Sequence, residues 1–190
     1  MRLIAGKYKG RLLKRPPEHL TRPTSSRTRE AIFNILQHYP NVNLQGAMVW
    51  DVFAGSGAMG LEAMSRGAAH VTFVEKDPQV IQILHDNIDH LGAKENCTIL
   101  RADATQLTAK GIVSSPANVI FLDPPYNKDL ELPTLLSLQD LKILTPETII
   151  VLETSKTRNL SQIETQFILL DQRTYGAAKV SLFRGVVAAS

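Results

Sequence analysis

Cysteine is nearly absent. Cys97 is the only one in 190 residues, which excludes an internal disulfide and any zinc cluster built on cysteine. The five histidines (His19, His38, His70, His85, His90) lack metal-ligand spacing, and His85 and His90, five apart, fall on different helix faces, so no metal site is expected. No apolar run approaches the ~18 residues that a membrane span requires. Lys7, Lys9 and Arg11 interrupt the N-terminus before a secretory core can form. Ser56, Ser155 and Cys97 have no adjacent histidine base, so nothing supports nucleophilic hydrolysis. Repeats and low-complexity tracts are missing too. With 44% hydrophobic and 21% charged residues, the chain reads as a soluble, cytoplasmic monomer that folds without a membrane.

Charge is present in near balance but unevenly spread. Residues 1–30 hold nine Lys and Arg (Arg2, Lys7, Lys9, Arg11, Lys14, Arg15, Arg22, Arg27, Arg29) against Glu18 and Glu30, a local net of +7. The other 160 residues carry a net of −4. Clustered cations on a slightly acidic body favour a polyanionic partner, because binding releases counterions from phosphate. Arg2, Lys7, Lys9, Arg11, Arg22, Arg27 and Arg29 are the candidate nucleic-acid contacts; a merely solvated charged surface is the competing reading.

Two regions are expected: a basic extension over 1–24 and a catalytic domain over 25–190. Arg2 to Ala5 and Arg11 to Leu13 can pair as a short β-hairpin, and Pro16, Pro17 and Pro23 then forbid regular structure. The spacing predicts a helix from Ser25 or Ser26 that buries Ile32, Ile35, Leu36 and Tyr39 and stops at Pro40. Strands are predicted at 48–51, 71–75, 97–100, 119–123 and 149–153, with helices at 61–66 and from Asp77 to Gly92. Continuous apolar runs of this kind suit strands buried on both faces of a parallel sheet. Residues 167–170 and 179–183 read as a terminal antiparallel hairpin. The fold class is therefore α/β, a Rossmann-like, doubly wound, mostly parallel seven-stranded sheet whose ligands gather at the carboxyl ends of the strands.

Gly55-Ser56-Gly57-Ala58-Met59-Gly60 satisfies the glycine-rich fingerprint of nucleotide-like cofactors, between a strand and a helix as that fingerprint requires. Four carboxylates narrow the choice. Asp51, Glu75, Asp103 and Asp123 each sit at or just past the end of one of the first four strands, so parallel topology gathers them on one rim. A pyrophosphate would meet acids there, with Lys76 the only near cation. S-adenosylmethionine has no phosphate and carries a sulfonium and an ammonium. Glu75 can accept both ribose hydroxyls, Asp103 the adenine amine, and Asp51 lies beside the loop under the methionine part. Phe53, Ser56, Lys76 and Ala104 complete the expected cofactor-binding set with Gly55, Gly57 and Gly60.

Asp123-Pro124-Pro125-Tyr126 follows the apolar run Ile120-Phe121-Leu122. Two prolines force a stiff extended turn that lacks two N–H donors and leaves carbonyls, that of Pro124 above all, as acceptors. A nucleobase amine is a weak nucleophile because its lone pair is delocalised into the ring. Accepting both its hydrogens, on Asp123 and on the Pro124 carbonyl, favours the pyramidal form that attacks a methyl group. Tyr126 offers a face for an extruded base to stack on, and positioning supplies most of the acceleration. Asp123, Pro124, Pro125 and Tyr126 are the candidate catalytic residues.

That tetrapeptide resembles the signature of methyltransferases acting on base amines. The stretches Arg2-Leu3-Ile4-Ala5-Gly6, Lys9-Gly10-Arg11, Arg22 to Leu36 and Asp51 to Gly57 are similar to those of the RsmD-type small-subunit ribosomal RNA guanine-N2 methyltransferases. The resemblance spans essentially the whole chain. It implies a class I methyltransferase fold, S-adenosylmethionine as cofactor, and one guanine N2 of 16S ribosomal RNA, free or in the small subunit, as target. It also implies an N-terminal region that helps to hold the RNA. Competing readings are a DNA adenine-N6 or cytosine-N4 methyltransferase, an NAD-binding oxidoreductase using the same glycine loop, and a non-enzymatic RNA-binding module.

Overall fold

The computed structural model describes residues 1–17, 26–40, 42–109, 115–126 and 128–185. Its strands are β1 (Met48–Val52), β2 (His70–Glu75), β3 (Cys97–Arg101), β4 (Val119–Leu122), β5 (Ile149–Ser155), β6 (Ile168–Tyr175) and β7 (Ala178–Arg184). Its helices are α1 (Ser26–His38), α2 (Ala58–Ser65), α3 (Pro78–Leu91), α4 (Glu131–Asp140) and α5 (Ser161–Glu164). Among the described residues the strands form one sheet in the order β3-β2-β1-β4-β5-β7-β6. The first five are parallel, and β7 and β6 add an antiparallel hairpin at one edge, as the sequence pattern predicts. Strand order reverses between β1 and β4, the switch point where an open α/β sheet binds its ligands.

Alternation along each strand divides the core in two. Val49, Phe73, Phe121 and Val151 face α1, α2 and α3, packing with Ile32, Phe33, Leu61 and Leu84. Trp50, Ile120, Ile150 and Leu152 face the other way, onto Leu135 and Leu138 of α4 and Ile163 of α5. The α3 ends follow from its sequence: Asp77 accepts the Gln79 and Val80 N–H groups, Pro78 opens the helix and Gly92, at φ 63°, closes it. Among the described residues no helix is long and apolar enough to cross a membrane.

The basic N-terminal segment is stitched to this body. Arg2 pairs with Leu12 in an antiparallel bridge, close to the expected hairpin. Leu3 and Leu13 are buried with α2 and α3 in the first core. The Glu62 carboxylate of α2 accepts the N–H groups of Ile4 (2.7 Å) and Ala5 (3.1 Å), and the Lys7 N–H reaches the Ser65 carbonyl at 2.7 Å. The boundary expected at residue 24 lies outside the described residues, as do Arg22 and the N-cap candidate Ser25.

Candidate active site

Register explains why the acids meet. Asp51 pairs with Phe73 on β2 and Phe121 on β4. Glu75 and Asp123 lie two residues beyond those partners, so all three acids share one sheet face at the carboxyl rim. Asp51 is buried at 4% exposure. Burial first, then the neighbouring charges of Asp123 and Glu75, push its carboxyl up to about 8, although the Gly60 N–H bond works the other way.

That bond decides what the glycine loop can hold. Gly60 lies in the first turn of α2, and its N–H donates to Asp51 Oδ2 at 2.8 Å. An amide available to a pyrophosphate in a dinucleotide fold is here committed to a carboxylate from the preceding strand. Gly60 itself is required by packing: a Cβ there would lie 2.4 Å from Phe73 Cε1. Gly57 sits at φ 79°, and a Cβ on it would meet Leu84 Cδ1 at 2.4 Å. Gly55 (φ 55°) faces open space, and Phe53 adopts φ 63°, a conformation that a non-glycine side chain takes up only under strain. Phe53 is half-buried against the second core.

Glu75 is held more tightly than its sequence position suggests. Its Oε2 accepts the Gly55 N–H at 3.0 Å, and its Oε1 accepts those of Lys76 (2.8 Å) and Asp77 (3.0 Å). Of about four acceptor positions on a carboxylate, three are filled by backbone. One acceptor position is left toward the rim in this geometry. Asp103 sits further out, its side chain 43% exposed, and pairs with Lys76 Nζ at 3.3 Å. It also accepts the Thr105 N–H and hydroxyl, which hold its carboxyl below the usual range. Ala104 is buried directly behind it. Ser56 is buried, and its carbonyl accepts from Asn87 Nδ2 at 2.9 Å.

The Asp-Pro-Pro-Tyr turn leaves β4 beside this group. The Asp123 N–H points to the Val52 carbonyl at 3.5 Å. Pro124 is buried, Pro125 is exposed, and Asp123 and Tyr126 are half-buried. The Tyr126 hydroxyl donates to Glu153 Oε1 at 3.3 Å.

Three site features escape the sequence reading. Glu153 closes the apolar run Ile149–Leu152 of β5 as Asp51, Glu75 and Asp123 close theirs, and the same apolar-run-then-acid pattern reveals it. Arg158 pairs with Asp129 and, at 2.9 Å, with Glu131, pinning the segment beyond Tyr126 to the loop after β5. Asn87, also buried, donates to both the Ser56 and the Lys14 carbonyls (2.9 and 3.1 Å), joining the glycine loop to the basic segment. The last two have no local signature.

Of the candidate RNA contacts, Arg2, Lys7, Lys9, Arg11 and Arg27 are exposed. Arg2 Nη1 donates to the Gly10 carbonyl (2.9 Å), Lys7 Nζ lies 5.0 Å from the Tyr8 ring centroid, and Arg11 Nη2 reaches the His90 carbonyl at 3.4 Å. Arg29 corrects the expectation. It is fully buried, with its Nη2 donating to the Arg2 carbonyl at 2.6 Å, so it ties α1 to the hairpin and presents nothing to a phosphate. Its spacing to Ile32, Phe33 and Leu36 already puts it on the buried face.

A family model described as conserved hypothetical protein 95 matches residues 1–184. A Bacillus subtilis relative is 36% identical over 97% of this chain and 98% of its own length. Ribosomal RNA small subunit methyltransferase D of Escherichia coli is 34% identical over 97% of this chain and 89% of its own. A solved structure from Escherichia coli superposes with a TM-score of 0.82 at 33% identity, covering 97% of both chains.

Proposed function

Because the chain belongs to the conserved hypothetical protein 95 family and is an RsmD-type methyltransferase, we propose that it methylates the exocyclic N2 of one guanine in 16S ribosomal RNA with S-adenosylmethionine as donor. The observation that carries this reading is Asp51: a carboxylate raised by burial and then by two neighbouring acids, which already caps the glycine-loop helix through Gly60. Such a rim gains by admitting a cation and has little to offer a pyrophosphate. S-adenosylmethionine supplies, when bound, a methyl group activated by its sulfonium charge.

The chain's own residues do the rest. Asp51 faces the positive end of the donor, Glu75 takes one ribose hydroxyl, and Asp103 accepts from the adenine amine, with Phe53 and Ala104 as apolar walls. Asp123 and the Pro124 carbonyl take the two hydrogens of N2 and present its lone pair. Pro125 stiffens the turn, and Tyr126 gives the flipped base a shelf. The proton leaves N2 to Asp123 or to water. Arg2, Lys7, Lys9, Arg11 and Arg27 orient the RNA through its phosphates without reading sequence; Arg22 belongs to the same set by its position in the chain. The reading brings with it a cytoplasmic monomer acting on free 16S rRNA or on the small subunit.

Incubation with labelled S-adenosylmethionine and either unmethylated small subunits or duplex DNA tests it, followed by nucleoside mass spectrometry. Label recovered as N2-methylguanosine in 16S rRNA is expected. Label in DNA adenine or cytosine alone overturns the reading.

A further inference from the structure

Resting on that reading, we infer that Glu153 determines which base is accepted by receiving the N1–H of the target guanine while Asp123 holds its N2. The argument begins with register. Phe121 pairs with Val151 and Leu122 with Leu152 across the parallel β4–β5 ladder. Carried one step past the end of β4, this register puts Asp123 level with Glu153 on the same sheet face. Glu153 is only 8% exposed, and the Tyr126 hydroxyl that reaches it belongs to the ring offered to the base. The amine holder, the stacking ring and a second carboxylate thus share one corner of the rim.

The chemistry of base edges gives this corner a preference. An ionised carboxylate only accepts, and its two oxygens offer about four acceptor positions, enough for several donors at once. Guanine places a ring N–H directly beside its exocyclic amine. Adenine and cytosine place an acceptor nitrogen there, which would set lone pair against lone pair. A polar group buried to receive a hydrogen rejects a base without one, because its partner is then left unpaired. Asp123 and the Pro124 carbonyl suit any base amine; Glu153 is the group in this corner that tells the three apart.

The test uses small subunits reconstituted with ligated 16S rRNA carrying 2-aminopurine at the guanine that the wild-type enzyme methylates. This analogue keeps the amine but has an unprotonated N1. The wild type should favour guanine by about 100-fold or more in kcat/KM. Glu153→Gln, whose amide can donate to that N1, should reduce the ratio at least tenfold. If the glutamine variant does not fold, Glu153→Asp, with its carboxylate withdrawn by a methylene, should lower the same ratio. Tyr126→Phe removes the hydroxyl contact and should leave the ratio unchanged. An unaltered ratio in the folded Glu153 variants overturns the inference. So does an equal fall in Tyr126→Phe, which would make Glu153 a positioning residue for the ring. A wild type that forms no N2-methylguanosine overturns instead the functional reading beneath it.

Discussion

Asp51 Oδ2 accepts the Gly60 N–H at 2.8 Å across nine residues of chain, with the carboxyl pushed up to about 8 by burial and by Asp123 and Glu75. The contact serves two ends. It finishes the first turn of α2, and it stores an acid whose ionised form is disfavoured until a cation arrives. Between its ordinary value near 3.8 and about 8, the folded protein holds a proton that the unfolded chain has released. Stability from this group is therefore fully present below 3.8 and lost as pH rises through about 8. Comparing wild type with Asp51→Asn by urea denaturation from pH 5 to 8 should isolate that component, at most about 1.4 kcal/mol per pH unit. Parallel pH profiles for the two proteins would show that Asp51 is ionised throughout.

Asp123 is coupled to Asp51 through charge and to the substrate through N2, so one substitution should move two observables. Asp123→Asn keeps the shape of the turn and removes the charge. In the rate, loss of the stronger acceptor for the amine should lower kcat by about 10²–10³ while donor binding persists. In the titration, loss of a like charge should bring the Asp51 transition down from about 8, with burial still holding it above the ordinary carboxylate range. Single-turnover kinetics read the first, and the stability profile the second. An unchanged kcat would remove Asp123 from the reacting group.

Much of this arrangement is legible in the sequence, for a physical reason. Strands buried on both faces read as unbroken apolar runs, and an acid closing such a run must sit at the rim, as Asp51, Glu75 and Asp123 do. Glu153 obeys the same rule. What escapes are residues whose role depends on distant chain segments. Glu62 lies among Leu61, Ala63 and Met64 with nothing to show that it receives the Ile4 and Ala5 amides. Helix α4, which the spacing of its residues does not announce, carries Pro133 in its first turn, where the missing N–H has no intrahelical partner to lose. Asp103 lies two residues past the end of β3, where its bond to the Thr105 N–H and its pairing with Lys76 hold it outward.

Arg158 bears on how firmly the Asp-Pro-Pro-Tyr turn is held. Its guanidinium joins Asp129, at φ 51°, and Glu131 at the start of α4, while Tyr126 is tied to Glu153. The turn is thus fixed at β4 on one side and by Arg158 on the other. Arg158→Ala should leave donor affinity intact and lower kcat/KM for the RNA by about tenfold to 100-fold, since small displacements of a positioning group cost that much. Arg158→Lys can keep one ion pair but not both in the same plane, and should fall between. Equal activity in all three proteins would show that the far anchor is dispensable.

The basic segment separates into residues that hold it and residues that it displays. Glu62 holds it: the side chain is buried, accepts two backbone N–H groups and pairs with Arg66 at 2.8 Å. Glu62→Ala leaves those donors and a half-buried guanidinium unpaired, so it should cost about 3–5 kcal/mol in urea denaturation. Lys7, Lys9 and Arg11 are displayed. Replacing all three with Ala should hold stability within about 0.5 kcal/mol per site and weaken RNA binding. The slope of log affinity against log salt should fall by about 0.7 for each single-strand phosphate that the protein no longer neutralises. Arg29→Met is the control that divides the two roles. Because Arg29 is buried and gives its Nη2 to the Arg2 carbonyl, its removal should unpair that carbonyl, lower stability and leave the salt slope of the folded protein unchanged. A slope that drops with Arg29→Met would mean that this arginine reaches phosphate after all, and a slope that survives the triple substitution would take the phosphate-binding role away from the hairpin.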